Sequence, residues 1–267
     1  MGPQRRRLVI DGLAFEMIDS PRPSGSAAPA MVLVHGVGMS HRYLSRLHRR
    51  LGASTRVVSV NLPGFAGLPR PSDDIDVTKM GRALARVVAT LGEDRVVLVG
   101  HSMGVQWSIE AALAPGEAVA AVVAIGPVCD ERHRTLPSQA TGLAVDTLGE
   151  TPLINTIVFT DYLRCGIRWY LRQVRRMVAY PTEKRMRSLG VPVLVVRGER
   201  DPIAGRDWCR RLRDAARVSR LVEIPRQHHV VQHSAPHAVA DAILFHTAGD
   251  WPDAAAVHAR TAARNAS

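Results

Sequence analysis

Short, almost wholly apolar runs recur along this chain, and most are followed by a stretch in which apolar residues return every three or four positions. The runs are Met31 to Val34, Arg56 to Val60, Arg95 to Val99, Val119 to Ile125, Val191 to Arg197 and Arg220 to Ile224. A strand that alternates apolar and polar residues can leave one face in water, whereas a strand apolar at every position must be covered on both. Helical spacing near Tyr43 to Leu51, Val77 to Leu91, Trp208 to Ala216 and His237 to His246 supplies the covers. The pattern predicts an α/β fold, a mostly parallel sheet flanked by helices. At the start, Leu8-Val9-Ile10, the pair Asp11-Gly12 and Leu13 to Met17 read as a hairpin, because Asp-Gly suits a two-residue turn with positive φ.

The alternation breaks between Pro127 and about Arg187. The break reads as a helical cap, residues 127–187, inserted into a core made of residues 1–126 and 188–248. Its clearest element is a helix from Tyr162 to Val178. There Ile167, Leu171, Val174 and Val178 form an apolar stripe expected to pack over the core, while Arg164, Arg168, Arg172 and Arg175 form a second stripe expected to face water. Residues 249–267 are Ala-rich and polar without periodicity, and read as a poorly ordered tail.

Composition narrows the classes. Apolar residues make up 46% of the 267 but aromatics only 4%, so the core and any pocket are expected to be aliphatic. The formal net charge of +11 invites a polyanion partner. However, the cations are nearly all arginine, with only Lys79 and Lys184 as lysines, and they are spread along the chain; a solvated surface is the expectation, with no nucleic-acid partner. No apolar run has the length of a membrane span, and Arg5-Arg6-Arg7 is followed by too few apolar residues for a signal peptide, so no membrane partner is expected. Cys129, Cys165 and Cys209 are scattered without disulfide or metal-ligand spacing, which fits a reducing cytoplasm and no metal site.

Gly100-His101-Ser102-Met103-Gly104 lies between the apolar run ending at Val99 and the helical stretch from Val105 to Leu113. A serine on so tight a strand-to-helix turn needs glycine two residues to either side, and its hydroxyl then stands exposed with the N–H of Met103 aimed at a developing oxyanion. A serine hydroxyl is a poor nucleophile without a base, and the base needs an orienting acid. Asp201 follows the Val193 to Val196 strand within Gly198-Glu199-Arg200-Asp201-Pro202. His229 follows the last strand within Pro225-Arg226-Gln227-His228-His229. Both loops leave the carboxyl edge of a parallel sheet, where catalytic loops gather.

This arrangement resembles the α/β-hydrolase family over nearly the whole chain. His35-Gly36-Val37-Gly38 is similar to that family's HGxG oxyanion loop, which implies the N–H of Val37 as a second donor beside Met103, with His35 holding the loop. The resemblance also favours His229, seven residues before Pro236, over His228, and Asp201 over Glu199, with Asp130 in reserve. One departure is Asn61, where the family's corresponding loop begins with aspartate. The resemblance implies a serine hydrolase acting on a small carboxylic ester, lactone or thioester through an acyl-enzyme, without metal or organic cofactor. The same residues also suit C–C bond hydrolysis beside a ketone, acyl transfer, or a non-hydrolytic ligand-binding or biosynthetic role. Branches that use a carboxylate nucleophile, dehalogenases and epoxide hydrolases, are disfavoured by Ser102. Besides a solvated face, the arginine stripe suits docking of an acyl-CoA or an acyl carrier protein.

Overall fold

The computed structural model describes residues 2–116, 118–130 and 152–248. Its sheet has eight strands: β1 (Gln4–Ile10), β2 (Leu13–Ser20), β3 (Ala30–Val34), β4 (Val57–Asn61), β5 (Val96–His101), β6 (Val119–Ile125), β7 (Val193–Gly198) and β8 (Ser219–Ile224). Their order is β1-β2-β4-β3-β5-β6-β7-β8. The β1/β2 hairpin is antiparallel and pairs antiparallel to β4; every later neighbour is parallel. Asp11 and Gly12 turn the hairpin with φ of 52° and 75°, the positive pair that matches strand twist.

Strands β3, β4, β5 and β7 are buried at every position, as continuous apolar runs require. Successive residues point to opposite faces, so the strands feed two apolar clusters. On one face Met31, Leu33, Val97 and Val99 meet Leu44 and Leu47 of α1 (His41–Gly52) and Val239 and Ile243 of the last described helix. On the other, Val32, Leu98 and Val195 meet α2 (Val77–Ala89), α3 (Met103–Leu113) and a further helix near the end of the chain through Leu84, Trp107 and Leu212. Each fully buried aliphatic side chain contributes about 1.5–3 kcal/mol relative to exposure. Ser40 and Asp76 cap α1 and α2 through side-chain bonds to Arg42 N–H and Lys79 N–H.

Between β6 and β7 the described residues form α4 (Pro152–Cys165), α5 (Ile167–Ala179) and α6 (Thr182–Arg187). Residues 131–151 of the expected cap, and the expected tail, lie outside the described residues. Beyond β7 come α7 (Arg206–Ala215), α8 (Val231–Ser234) and α9 (Pro236–Ala248). The single helix expected from Tyr162 to Val178 is in fact two, because Gly166 adopts φ +77° and breaks it. The break also corrects the expected stripe: Val174 is buried, but Ile167 and Leu171 are exposed, and Trp169, Gln173 and Met177 face inward instead. Arg164, Arg168, Arg172 and Arg175 are exposed. Two buried carboxylates tie these helices down. Asp161 accepts from Ser40 Oγ at 2.5 Å and pairs with Arg42 at 3.1 Å, while Glu110 of α3 holds Arg185 at 2.6 and 2.8 Å and accepts from Tyr180 at 2.7 Å.

Candidate active site

Only Ser102 separates β5 from α3, and it turns the chain with φ 57° and ψ −126°. That region is costly for a residue with a Cβ and persists only where surrounding contacts impose it. Here Ser102 N–H donates to Ile125 O of β6 at 2.9 Å. A Cβ on Gly100 would lie 2.5 Å from Gly104 O, and one on Gly104 would lie 2.4 Å from Val34 O. The serine turn is therefore wedged against the end of β3 and tolerates a side chain at neither glycine.

The loop after β3 passes directly beside the serine: a Cβ on Gly36 would stand 3.0 Å from Ser102 Cβ. His35 braces this loop. Its Nε2 accepts from Leu62 N–H at 3.1 Å, which puts the proton on Nδ1, and Nδ1 donates to Gly36 O at 2.8 Å. Burial pushes His35 down to about 4, so it is a neutral strut. Val37 follows this brace, and Met103 opens α3, where first-turn N–H groups lack partners within the helix. Gly38, at φ +76°, is covered by the rings of Tyr162 and Tyr170, whose centroids are 4.9 Å apart.

His229 Nδ1 donates to Asp201 Oδ2 at 2.9 Å, while Asp201 Oδ1 accepts from the N–H groups of Ile203 and Ala204 at 2.8 Å each. Burial alone would raise the Asp201 carboxyl, but the charge and hydrogen bond of His229 and the two N–H groups outweigh it and hold it below its ordinary value. Gly126, the residue after Ile125, makes room for this pair: a Cβ there would stand 3.0 Å from His229 Cε1 and 3.4 Å from Asp201 Oδ2. The His229 ring also packs 4.8 Å from that of His101. Ser102, bonded to Ile125 and following His101, thus shares one corner with the histidine–aspartate pair.

The rival residues are engaged elsewhere. Glu199 accepts from Arg226 N–H at 2.8 Å, Asp130 pairs with Arg211, and His228 is half-buried beside the His229 that meets Asp201. Asn61 has a local reason to be an amide. Its Oδ1 accepts from His41 N–H at 2.7 Å and its Nδ2 donates to the buried Glu16 carboxylate at 2.9 Å. An aspartate could not donate to that carboxylate.

Sequence reasoning missed Tyr43. Its hydroxyl accepts from Gly36 N–H at 2.6 Å and donates to His101 Nδ1 at 2.8 Å, and His101 Nε2 donates to His229 O at 3.0 Å. Burial, then the charge of His229, pushes His101 down to about 3, which fits this neutral role. One phenol therefore couples the loop beside Ser102, the serine turn and the His229 loop. Arg197, also missed, props the Asp201 turn by donating to Ala204 O at 2.7 Å and Asp201 O at 3.3 Å. Neither carries a sequence signal, since each sits within an ordinary helix or strand pattern.

Residues 31–242 match the alpha/beta hydrolase family. Epoxide hydrolase A of Mycobacterium tuberculosis is 26% identical over 144 residues, covering 52% of this chain and 44% of that protein. The 2-hydroxy-6-oxononadienedioate/2-hydroxy-6-oxononatrienedioate hydrolase of Burkholderia vietnamiensis is 35% identical over 112 residues, covering 39% and 38%. The chain thus spans less than half the length of these relatives. The solved enol-lactonase of Burkholderia xenovorans shares the fold, with a TM-score of 0.76 at 17% identity over 90% of this chain and 98% of that one.

Proposed function

The chain belongs to the alpha/beta hydrolase family, and on that footing we propose that it is a serine hydrolase cleaving a small-molecule carboxylic ester, lactone or thioester. The observation that supports this most is the buried His229–Asp201 pair, 2.9 Å apart, at the corner occupied by the strained Ser102. Ser102 attacks the acyl carbonyl while His229 takes its proton through Nε2, the nitrogen that Asp201 does not engage. Asp201 fixes the tautomer and stabilises the imidazolium, and the N–H groups of Val37 and Met103 receive the oxyanion. Water activated by His229 then releases the acyl group. The described helices α4, α5 and α6 act as a cap whose inner tyrosines, Tyr162 and Tyr170, roof the loop at Gly38.

Opening an epoxide through an ester intermediate needs a carboxylate at the nucleophile position, so the reaction named for the Mycobacterium tuberculosis relative is not the one proposed. Hydrolysis of a C–C bond beside a ketone would use the same groups, and the Burkholderia vietnamiensis relative is named for a dioate hydrolase. Comparing wild type with Ser102→Ala on short p-nitrophenyl esters, lactones, thioesters and diketones tests both readings, together with fluorophosphonate labelling. The expected result is labelling at Ser102 and a loss of turnover by a factor on the order of 10³ or more in the variant. Equal turnover, or folded protein that does not label, would favour a binding role.

A further inference from the structure

Among the described residues, four of the six exposed large apolar side chains recur every fourth position: Phe159, Leu163, Ile167 and Leu171, at 64, 66, 67 and 46% exposure. They lie on the outward sides of α4 and α5, which Gly166 joins. Leu163, Ile167 and Leu171 are each followed at once by an exposed arginine, Arg164, Arg168 and Arg172, and Arg175 continues the row. No acidic residue occurs in the sequence between Asp161 and Glu183, and Asp161 is buried against Ser40 and Arg42. None of the four arginines is in an ion pair among the described residues. A solvated helix face would mix both signs of charge and shed its large apolar groups. This one combines protruding aliphatic and aromatic side chains with arginines and no exposed acid of its own helices; a carboxylate from the loop before α2, Asp74, pairs with Arg176 and shares a cleft with Arg172 and Arg175 at one end of the row.

Although no membrane partner is expected from the lack of a spanning run, we propose that the outward face of α4 and α5 docks on an anionic phospholipid–water interface. The apolar side chains would enter the headgroup–acyl boundary, and the guanidinium groups would pair with lipid phosphates, for which their planar fork is suited. A second copy of this chain fits less well, because an isologous contact would set arginine row against arginine row. The opposite sides of the same helices place Tyr162 and Tyr170 on Gly38 and Trp169 on Gly64. The docked face is therefore about one helix diameter, roughly 10 Å, from the loop beside Ser102. The inference stands on the surface alone and does not depend on the chemistry assigned to Ser102.

Flotation of the full chain with vesicles tests it. Vesicles of equal parts phosphatidylglycerol and phosphatidylcholine should carry the protein at low salt, phosphatidylcholine alone should not, and high salt should release it. Arg168→Gln and Arg172→Gln should each weaken binding about fivefold, and the double change Leu163→Ser with Ile167→Ser at least tenfold. Circular dichroism checks that each variant is folded, and the arginine variants stand as the test should the double variant unfold. Ser102→Ala should float like wild type, so failure of the hydrolase reading leaves this result intact. No binding to anionic vesicles, equal binding to neutral ones, or equal binding by every folded variant would overturn the proposal. So would a dimer in sedimentation that the serine double variant dissolves.

Discussion

Replacing Tyr43 by Phe removes one oxygen atom from a site with no solvent to compensate, since the residue is 1% exposed. Two groups lose their partner at once: Gly36 N–H, which donates to that oxygen at 2.6 Å, and His101 Nδ1, which receives its proton at 2.8 Å. A buried polar group left without a partner costs about 1–3 kcal/mol. Partial relaxation of the loop brings the two together to roughly 3 kcal/mol, below the sum of the upper limits. At about 2–4 °C per kcal/mol for a chain of this size, the melting temperature should fall by roughly 6–12 °C. Tyr180→Phe is the matched control. It removes the same atom from a bond to Glu110 at 2.7 Å, but Arg185 still holds that carboxylate at 2.6 and 2.8 Å, so the cost should stay near 1 kcal/mol. Differential scanning calorimetry compares the two directly. In the proposed reaction, where the N–H of Val37 beside Gly36 receives the oxyanion, Tyr43→Phe should also lower kcat on an ester at least tenfold, with a smaller change in KM. If both variants melt within about 1 °C of each other, the coupling role assigned to this phenol is wrong.

His35 and His101 are held neutral, at about 4 and about 3 against an ordinary 6.5, so between those values the unfolded chain binds protons that the folded chain refuses. Stability should therefore drop as pH falls from about 6.5 toward 4, by up to about 1.4 kcal/mol per pH unit for each histidine, and a denaturation midpoint unchanged between pH 6.5 and 5 would contradict it. Asn61→Asp sets a second carboxylate against buried Glu16 and should cost roughly 1–3 kcal/mol at pH 7 in urea melts, recovering as the pair takes up a proton in acid. In the proposed reaction, Asp201→Asn should lower kcat by on the order of 10³–10⁴ through loss of the correct His229 tautomer. His229→Gln should do comparable damage and His228→Gln little, as esterase assays on the three purified variants would show.

The sheet was legible because burial on both faces leaves its mark on every residue of a strand. Val119 to Ile125 needs no adjustment at all, and most other boundaries move by one or two positions. That the loops carrying Asp201 and His229 converge was legible for a related reason, while the choice of these two over Glu199 and His228 came from the family resemblance. Loops leaving one edge of a parallel sheet must meet there, so the order of residues along the chain already constrains their meeting in space. Tyr43 was not legible, because its role depends on a hydroxyl reaching across from α1 to two other loops. In the sequence it is simply the first apolar position of an amphipathic helix.

The helices between β6 and β7 show why periodicity can find a helix and still misjudge its phase. Ile167 and Leu171 are more hydrophobic than Gln173, yet Gln173 is buried, with its amide donating to Ile75 O at 3.3 Å. What a helix buries depends on the surface that receives it. Gly64, at φ +80°, leaves a notch in the loop after β4, and a Cβ there would lie 2.5 Å from the Trp169 indole, so that ring fills the space where a side chain would be. Residues two apart are about 200° apart around a helix. Seating Trp169 in the notch therefore turns Ile167 and Leu171 outward together, in line with the arginines that follow them. A glycine about a hundred residues earlier in the chain thus helps set which face of α5 meets the solvent, and no local window of sequence contains both partners.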